Sequence, residues 1–207
     1  MYKLAELFEQ ADGTPARYAA GYFKRLADVM QQLDMEAFEQ VVEAIERTCA
    51  EGRTVFFVAN GGSAAVASHF VNDLVAGAMV DGQPPFRAMS LTDNGETVTA
   101  IANDSGFENI FAYQLKALLK PGDLVIAMSV SGNSENIIRA VQYANDNGAR
   151  TIGWSGFGGG RLSRESNISL HMPTTNDEYG TIEDMFSILE HTITGYLTMK
   201  RGKQLHH

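Results

Sequence analysis

The stretch Thr54–Leu74, TVFFVANGGSAAVASHFVNDL, changes character twice within 21 residues. TVFFVA is a short apolar run rich in β-branched and aromatic residues, with no polar alternation. A parallel strand covered on both faces reads this way. Asn60-Gly61-Gly62-Ser63 ends the run, and a small-residue helical pattern follows that carries His69 and Asp73. A strand handed straight to a helix through a glycine turn is the opening unit of an α/β sheet, and ligands of such sheets sit in these turns.

Working outward, the same rhythm repeats. FRAMSL (86–91), LVIAMSV (124–130), RTIGWSG (150–156) and NISLHMP (167–173) read as four further strands. Helical patterns fill the intervals: two pieces over 95–119 interrupted at Asn103-Asp104-Ser105-Gly106, and one that runs to about Asn147, closed by Gly148. A long helix covers Thr181–Lys200. Residues 1–52 read as helical, with two helices before the first strand. Asp34 is the N-cap of the second, whose apolar Phe38, Val41, Val42, Ile45 and Cys49 recur at helical spacing up to Gly52. The pattern predicts an α/β fold: a three-layer, doubly wound, parallel five-stranded sheet with flanking helices at both ends. It predicts one domain over 1–207, comprising a helical extension (about 1–52), the sheet region (about 53–175) and the last helix (about 181–200). Gly156–Arg161, GFGGGR, reads as a flexible loop, since Arg161 occupies the last glycine position of a G-x-G-x-x-G fingerprint. No P-loop pattern occurs, so no nucleotide is expected.

Composition narrows the classes. The chain is 44% hydrophobic and 20% charged, the proportions of a globular domain. Its formal net charge of -9 argues against nucleic acid and anionic membranes as partners. An anionic small molecule stays compatible, because backbone amides bind phosphate without Lys or Arg. Cys49 is the single cysteine, no run suits a membrane span, and the first residues carry no apolar signal core. The expectation is a cytoplasmic protein.

Two loops echo each other. VANGGS and SVSGNS both stand where a strand hands over to a helix. Glycine lets backbone approach a ligand, the first N–H groups of each helix favour an anion, and Ser129, Ser131 and Ser134 add hydroxyls. One such loop is adequately read as a capping turn, whereas two in one sheet form a cradle suited to a phosphate monoester. His69 and Asp73 share a helix face, and Glu183 and His191 stand about two turns apart on the last helix. The four can ligate a divalent ion such as zinc or supply a general acid and base. Spacing does not choose. Glu190, beside His191, is the rival ligand and points about 100° away round the helix.

ANGGSAA, then H-F-x-x-[DE]-L, I-A-N-D and S-x-S-G-N-S, together resemble the sugar isomerase (SIS) domain, and over about 15–200 the chain looks like the sedoheptulose 7-phosphate isomerases, also called phosphoheptose isomerases. The resemblance implies an aldose–ketose isomerase of phosphosugars that interconverts sedoheptulose 7-phosphate and a D-glycero-heptose 7-phosphate through an enediol. It implies that Asn60, Gly61, Gly62 and Ser63 line the substrate site with Asn103, Asp104, Ser129, Val130, Ser131, Ser134 and Glu183. His69, Asp73, Glu183 and His191 fall on its metal-ligand positions, Asp73 and His191 on its acid/base pair. One divalent ion per subunit, zinc first, and a homotetramer are implied as well. Three positions depart from the family pattern: Asp73 for Glu, Glu183 for Gln, and Val130 for Thr. The alternatives within the resemblance are a non-catalytic SIS protein acting through protein contacts and a phosphosugar-sensing domain of a regulator.

Overall fold

The computed structural model describes residues 3–203. Five strands, β1 (Thr54–Ala59), β2 (Arg87–Ser90), β3 (Leu124–Ser129), β4 (Arg150–Ser155) and β5 (Ile168–His171), form one sheet in the order β2-β1-β3-β4-β5. Every neighbouring pair is parallel. The chain steps outward from β1 to β2 and returns to the other side of β1 with β3. The order therefore reverses between β1 and β3, which is where a doubly wound sheet opens a crevice at its carboxyl edge. Ala59 is in register with Met128, so the chain leaves both strands side by side, at Asn60 and after Ser129.

Side-chain alternation builds the two outer layers. Val55, Phe57 and Ala59 of β1, with Leu124, Ile126 and Met128 of β3, face α3 (Met35–Ala50), α4 (Gly61–Asn72) and α9 (Tyr179–Lys200). Phe56, Val58, Val125 and Ala127 face the opposite way, onto α6 (Ile110–Leu118) and α7 (Glu135–Asp146). Both faces of the central strands are buried, which is why they read as unbroken apolar runs.

The N-terminal region holds three helices rather than two: α1 (Lys3–Gln10) and α2 (Pro15–Met30) precede α3. The first-turn amides of α1 find partners far along the chain. Those of Leu4 and Ala5 donate to the Asp177 carboxylate at 2.7 and 3.2 Å, a partner more than 170 residues away that no local pattern announces. Asp34 caps α3 as expected, accepting from the amides of Glu36 and Ala37. Asn103-Asp104-Ser105 does not interrupt a helix. α5 (Gly95–Ser105), capped by Asn94, runs through those residues and stops before Gly106, whose φ is 92°. The strands over 124–130 and 150–156 end one residue early, at Ser129 and Ser155. The GFGGGR segment leads into a short helix, α8 (Leu162–Glu165), that the sequence pattern did not reveal.

Arg25 of α2 grips Glu178 just before α9 with two hydrogen bonds, at 2.6 and 3.0 Å. Glu178 is fully buried. Burial alone would raise its carboxyl pKa, but the bonds from Arg25 and Thr175 reverse that and hold it below the usual glutamate value. This ion pair, with Tyr22 Oη on Asp184, ties the N-terminal helices to the start of α9.

Candidate active site

An open cleft of about 270 Å³ lies at the switch point between β1 and β3. Asn60, Gly61, Gly62 and Ser63 line it from one side, and Ser129, Val130, Ser131 and Ser134 from the other. Gly61 has a φ of +54°, so the chain turns sharply into α4. Asn60 stands at the N-cap of α4 without capping it. Its amide is instead locked in a reciprocal pair with Asn136, at 3.0 and 2.7 Å, which couples the two loops. Ser134 likewise stands at the N-cap of α7 and makes no side-chain cap bond. Away from the cleft, Asp34 and Asn94 do cap their helices. The two helices aimed at the cleft thus leave first-turn amides for an external acceptor, the arrangement that favours an anion.

Glu183 reaches the cleft from α9. Its carboxylate fills the space that a Cβ on Gly62 would need, and it accepts from the Ser63 hydroxyl at 3.3 Å. Tyr179 and Met128 also line the cleft and were not anticipated. Tyr179 opens α9 one turn before Glu183, so its place follows once α9 is seen to border the cleft. Asn103 and Asp104 are not brought into this cleft. They sit exposed in the last turn of α5, and the Asn103 amide donates to Asp104 at 2.8 Å. GFGGGR, read as flexible, is docked on the second loop: Leu162 N–H donates to Gly132 O at 2.9 Å and Arg161 N–H to Asn133 Oδ1 at 3.0 Å.

The second cluster lies further along the same two helices. His69, Asp73, Glu190 and His191 each place a donor atom within 4.8 Å of the others. Three of the four are the residues expected from the sequence; the fourth member, the second carboxylate of this group, is Glu190 and not Glu183. His69 Nε2 is 3.6 Å from Asp73 Oδ1, His69 Nδ1 is 3.9 Å from Glu190 Oε2, and His191 Nε2 is 3.5 Å from Glu190 Oε2. The imidazole rings stand edge to face with centroids 4.8 Å apart. These spacings are too long for hydrogen bonds. They are close to the edges of a tetrahedron of ligands about 2.0–2.2 Å from a common centre, which are about 3.3–3.6 Å. The donor set, two imidazoles and two carboxylates, also fits a divalent ion.

Asp73 opens a π-helical turn, Asp73–Gly77, that continues α4. Such turns are frequent at functional sites, because they re-aim side chains relative to a regular helix. Glu190 is fully buried, and among the described residues neither carboxyl oxygen has a hydrogen-bond partner at normal distance, although Asp73 and Thr194 lie beside it. Burial, and then the neighbouring Asp73 charge, push its carboxyl pKa up to about 8. Its sequence signal is the stripe it occupies: it shares the buried face of α9 with Ile182, Phe186, Ile193 and Leu197. A glutamate on an apolar stripe is a stronger pointer than a glutamate next to a histidine.

The comparisons with known proteins agree with this geometry. The SIS domain matches residues 18–156. The phosphoheptose isomerase of Rhodospirillum rubrum is 34% identical over 86% of this chain and 90% of its own length, and that of Aquifex aeolicus is 39% identical over 66% of this chain and 72% of its own. Among solved structures, the phosphoheptose isomerase of Francisella tularensis superposes with a TM-score of 0.81 at 29% identity, covering 90% of this chain and 99% of that one. The phosphoheptose isomerase GmhA of Neisseria gonorrhoeae gives a TM-score of 0.80 at 26% identity, covering 90% of this chain and all of that one. The chain belongs to the phosphoheptose isomerase family, built on the SIS domain.

Proposed function

We propose that the protein is an aldose–ketose isomerase that converts sedoheptulose 7-phosphate to a D-glycero-heptose 7-phosphate. The observation that carries this reading is the register of α4 and α9. Gly62 and Ser63 meet Glu183 at one level, and His69 meets Glu190 seven residues further along both helices. The two levels are about 10 Å apart along the axes. One helix pair thus presents an anion cradle and a proton-transfer cluster to the two ends of a single extended molecule.

The roles follow from the chemistry of the residues. First-turn amides of α4 and α7, with the Ser131 and Ser134 hydroxyls, hold the phosphate. Asp73, a partly exposed carboxylate, removes a proton from the hydroxymethyl carbon next to the ketone, while His191 gives a proton to the ketone oxygen. The product of that step is an enediol. Return of a proton to the former carbonyl carbon, with loss of the proton from the terminal hydroxyl, leaves the aldehyde. A divalent ion held by His69, Asp73 and His191, zinc by first choice, would polarise the carbonyl.

The test is an aldose–ketose assay on a panel of five- to seven-carbon sugar phosphates. Turnover of the seven-carbon ketose is expected. A protein that binds phosphosugars but turns none over would be a non-catalytic SIS protein. Ser131→Leu, which removes a donor and fills the cradle, is expected to weaken phosphosugar binding about tenfold to hundredfold with the fold intact. Unchanged affinity would place the phosphate elsewhere.

The assembly proposed is a homotetramer with sites formed between subunits. His69 and His191 are exposed in the single chain, and Phe8, Phe23, Tyr196 and Met199 leave large apolar surfaces open on α1, α2 and α9. Sedimentation equilibrium at micromolar concentration should give four times the chain mass, and a monomer there would refute it. No helix among the described residues is long and apolar enough to cross a membrane. With its single buried cysteine, the protein is proposed to work in the cytoplasm.

A further inference from the structure

Among the described residues, two other than glycine take a left-handed backbone, Asp12 and Phe157. A short polar aspartate visits that region readily, whereas for a bulky phenylalanine it is an outlier. Phe157 has a φ of 46° and stands in GFGGGR, where one more glycine would make the same turn without strain. Its backbone is pinned at both ends. The N–H donates to Thr174 Oγ1 at 3.1 Å, and the carbonyl accepts from Thr174 N–H at 3.3 Å and from His171 Nε2 at 3.0 Å. Strain held where glycine would remove it points to a use for the side chain. The Phe157 ring is buried and stands edge to face against Tyr179, with centroids 5.0 Å apart. Tyr179 in turn is an aromatic wall of the cleft. We propose that Tyr179 binds the phosphate of the phosphosugar, its phenol donating a hydrogen bond and its ring held in place by Phe157. The inference rests on the phosphate cradle in the function proposed above and adds a binding residue and a positioning residue to it.

The direction of the helices brings Tyr179 to the phosphate end of the cleft. α4 and α9 run the same way, since Ser63 meets Glu183 and His69 meets Glu190. Tyr179 is four residues before Glu183, about 6 Å back along the axis. That level lies in front of the first turn of α4, where free amides point and an anion is favoured. Charge agrees with position. No Lys or Arg among the described residues lines the cleft, so a bound phosphate depends on neutral donors, and a phenol is one. Hydrogen bonds to an ionised acceptor are the strong kind. The loop that carries Phe157 is seated on the same stretch of α9, where a Cβ on Gly156 would fall against Ile182. Tyr179 itself is exposed, so the edge of Phe157 is the packing contact that fixes its ring at the wall.

The experiment uses the full chain and compares wild type, Tyr179→Phe, Phe157→Gly and the double variant. Calorimetry gives the affinity for inorganic phosphate, and the isomerase assay gives kcat and KM for sedoheptulose 7-phosphate. Tyr179→Phe keeps the ring and removes the donor. It is expected to weaken phosphate binding about tenfold, the lower end for a hydrogen bond to a charged group, and to raise KM to match. Its kcat should change by less than about twofold, because the contact is the same in ground and transition states. Phe157→Gly frees the backbone and removes the prop, and phosphate binding should weaken by a similar factor. If Phe157 acts through the phenol, the double variant binds phosphate no more weakly than Tyr179→Phe alone. A ring kept only for packing would lower the melting temperature of Phe157→Gly and leave phosphate affinity where it was. Tyr179 is exposed, so Tyr179→Phe reads the donor even if Phe157→Gly fails to fold. Wild-type phosphate affinity in Tyr179→Phe overturns the phosphate contact, and additive losses in the double variant overturn the role of Phe157. Wild type that binds neither phosphate nor phosphosugar overturns the cradle and this inference with it. Wild type that binds phosphate without turnover overturns the isomerase reading alone, and the calorimetry still decides for Tyr179.

Discussion

Asp73→Asn is expected to lower kcat by about 10²–10⁴-fold, the span attributed to one positioned general base, while phosphosugar affinity changes little. The side chain is only partly buried and takes a hydrogen bond from the neighbouring Asn72 amide at 2.9 Å. Asparagine keeps that size and an oxygen acceptor but cannot take up a proton at neutral pH. Asp73 also sits where α4 gives way to the π-helical turn, so its direction is set by backbone and not by contact with His69 alone. The informative measurement is exchange of the proton next to the carbonyl with solvent deuterium, followed alongside turnover and metal content. Loss of both exchange and turnover in a variant that binds sugar and has been saturated with added metal identifies Asp73 as the base. Exchange at the wild-type rate would move that role to another group. A variant that loses metal and sugar together would instead make Asp73 chiefly a ligand.

How far the sequence reaches depends on the range of the physical effect involved. The central strands are unmistakable because both faces are buried: Phe56 packs on α6 and α7 while Phe57 packs on α3 and α4, and a polar group at either position would be buried in an apolar cluster at a cost. The cradle is equally legible, because glycine turns and N-cap residues act within four or five positions. His69 and Asp73 are brought together by helical spacing, which is also local. What the sequence hides is set at long range. α1 begins where Asp177, from the other end of the chain, supplies its cap. Glu190 joins His69 only because α4 and α9 lie in register, a relation fixed by Gly62, which lets Glu183 come close, and by the Phe70–Trp154–Phe186 stack beneath. Local periodicity made Glu183 and His191 a pair, whereas packing of the whole helix paired Glu190 with both histidines. Asn103 and Asp104 were legible as a polar pair but not as part of a helix, since the stop signal is Gly106 and not the residues before it.

The same distinction makes Gly132→Ala the substitution expected to do most damage to the fold at the cradle. Gly132 has a φ of +66°, a conformation that costs an L-residue about 1–2 kcal/mol. A Cβ there would fall on the carbonyl oxygen of Gly159 and close to the amide of Gly160, and the obstacle is backbone, which no rotamer change can clear. Overpacking of this kind adds about 1–3 kcal/mol, so the loss should be about 2–5 kcal/mol in all. The contact matters because it locks the SGNS loop to GFGGGR and the residue after it: Gly132 O accepts from Leu162 N–H at 2.9 Å, and Asn133 Oδ1 accepts from Arg161 N–H at 3.0 Å. Moving Gly132 shifts Ser131 and Ser134, and phosphosugar binding should fall with stability. Gly158, in the same glycine run, is the control. It has no positive φ, and nothing lies within 4 Å of its added Cβ, so Gly158→Ala should change stability by no more than about 0.5 kcal/mol. Urea unfolding of the two variants reads the difference directly. If Gly132→Ala unfolds at the wild-type midpoint, the two loops are not locked together and the glycine run is the free loop its composition suggests. A large loss at Gly132 beside none at Gly158 makes the run a backbone clamp on the phosphate cradle, with each glycine's importance set by what lies opposite it.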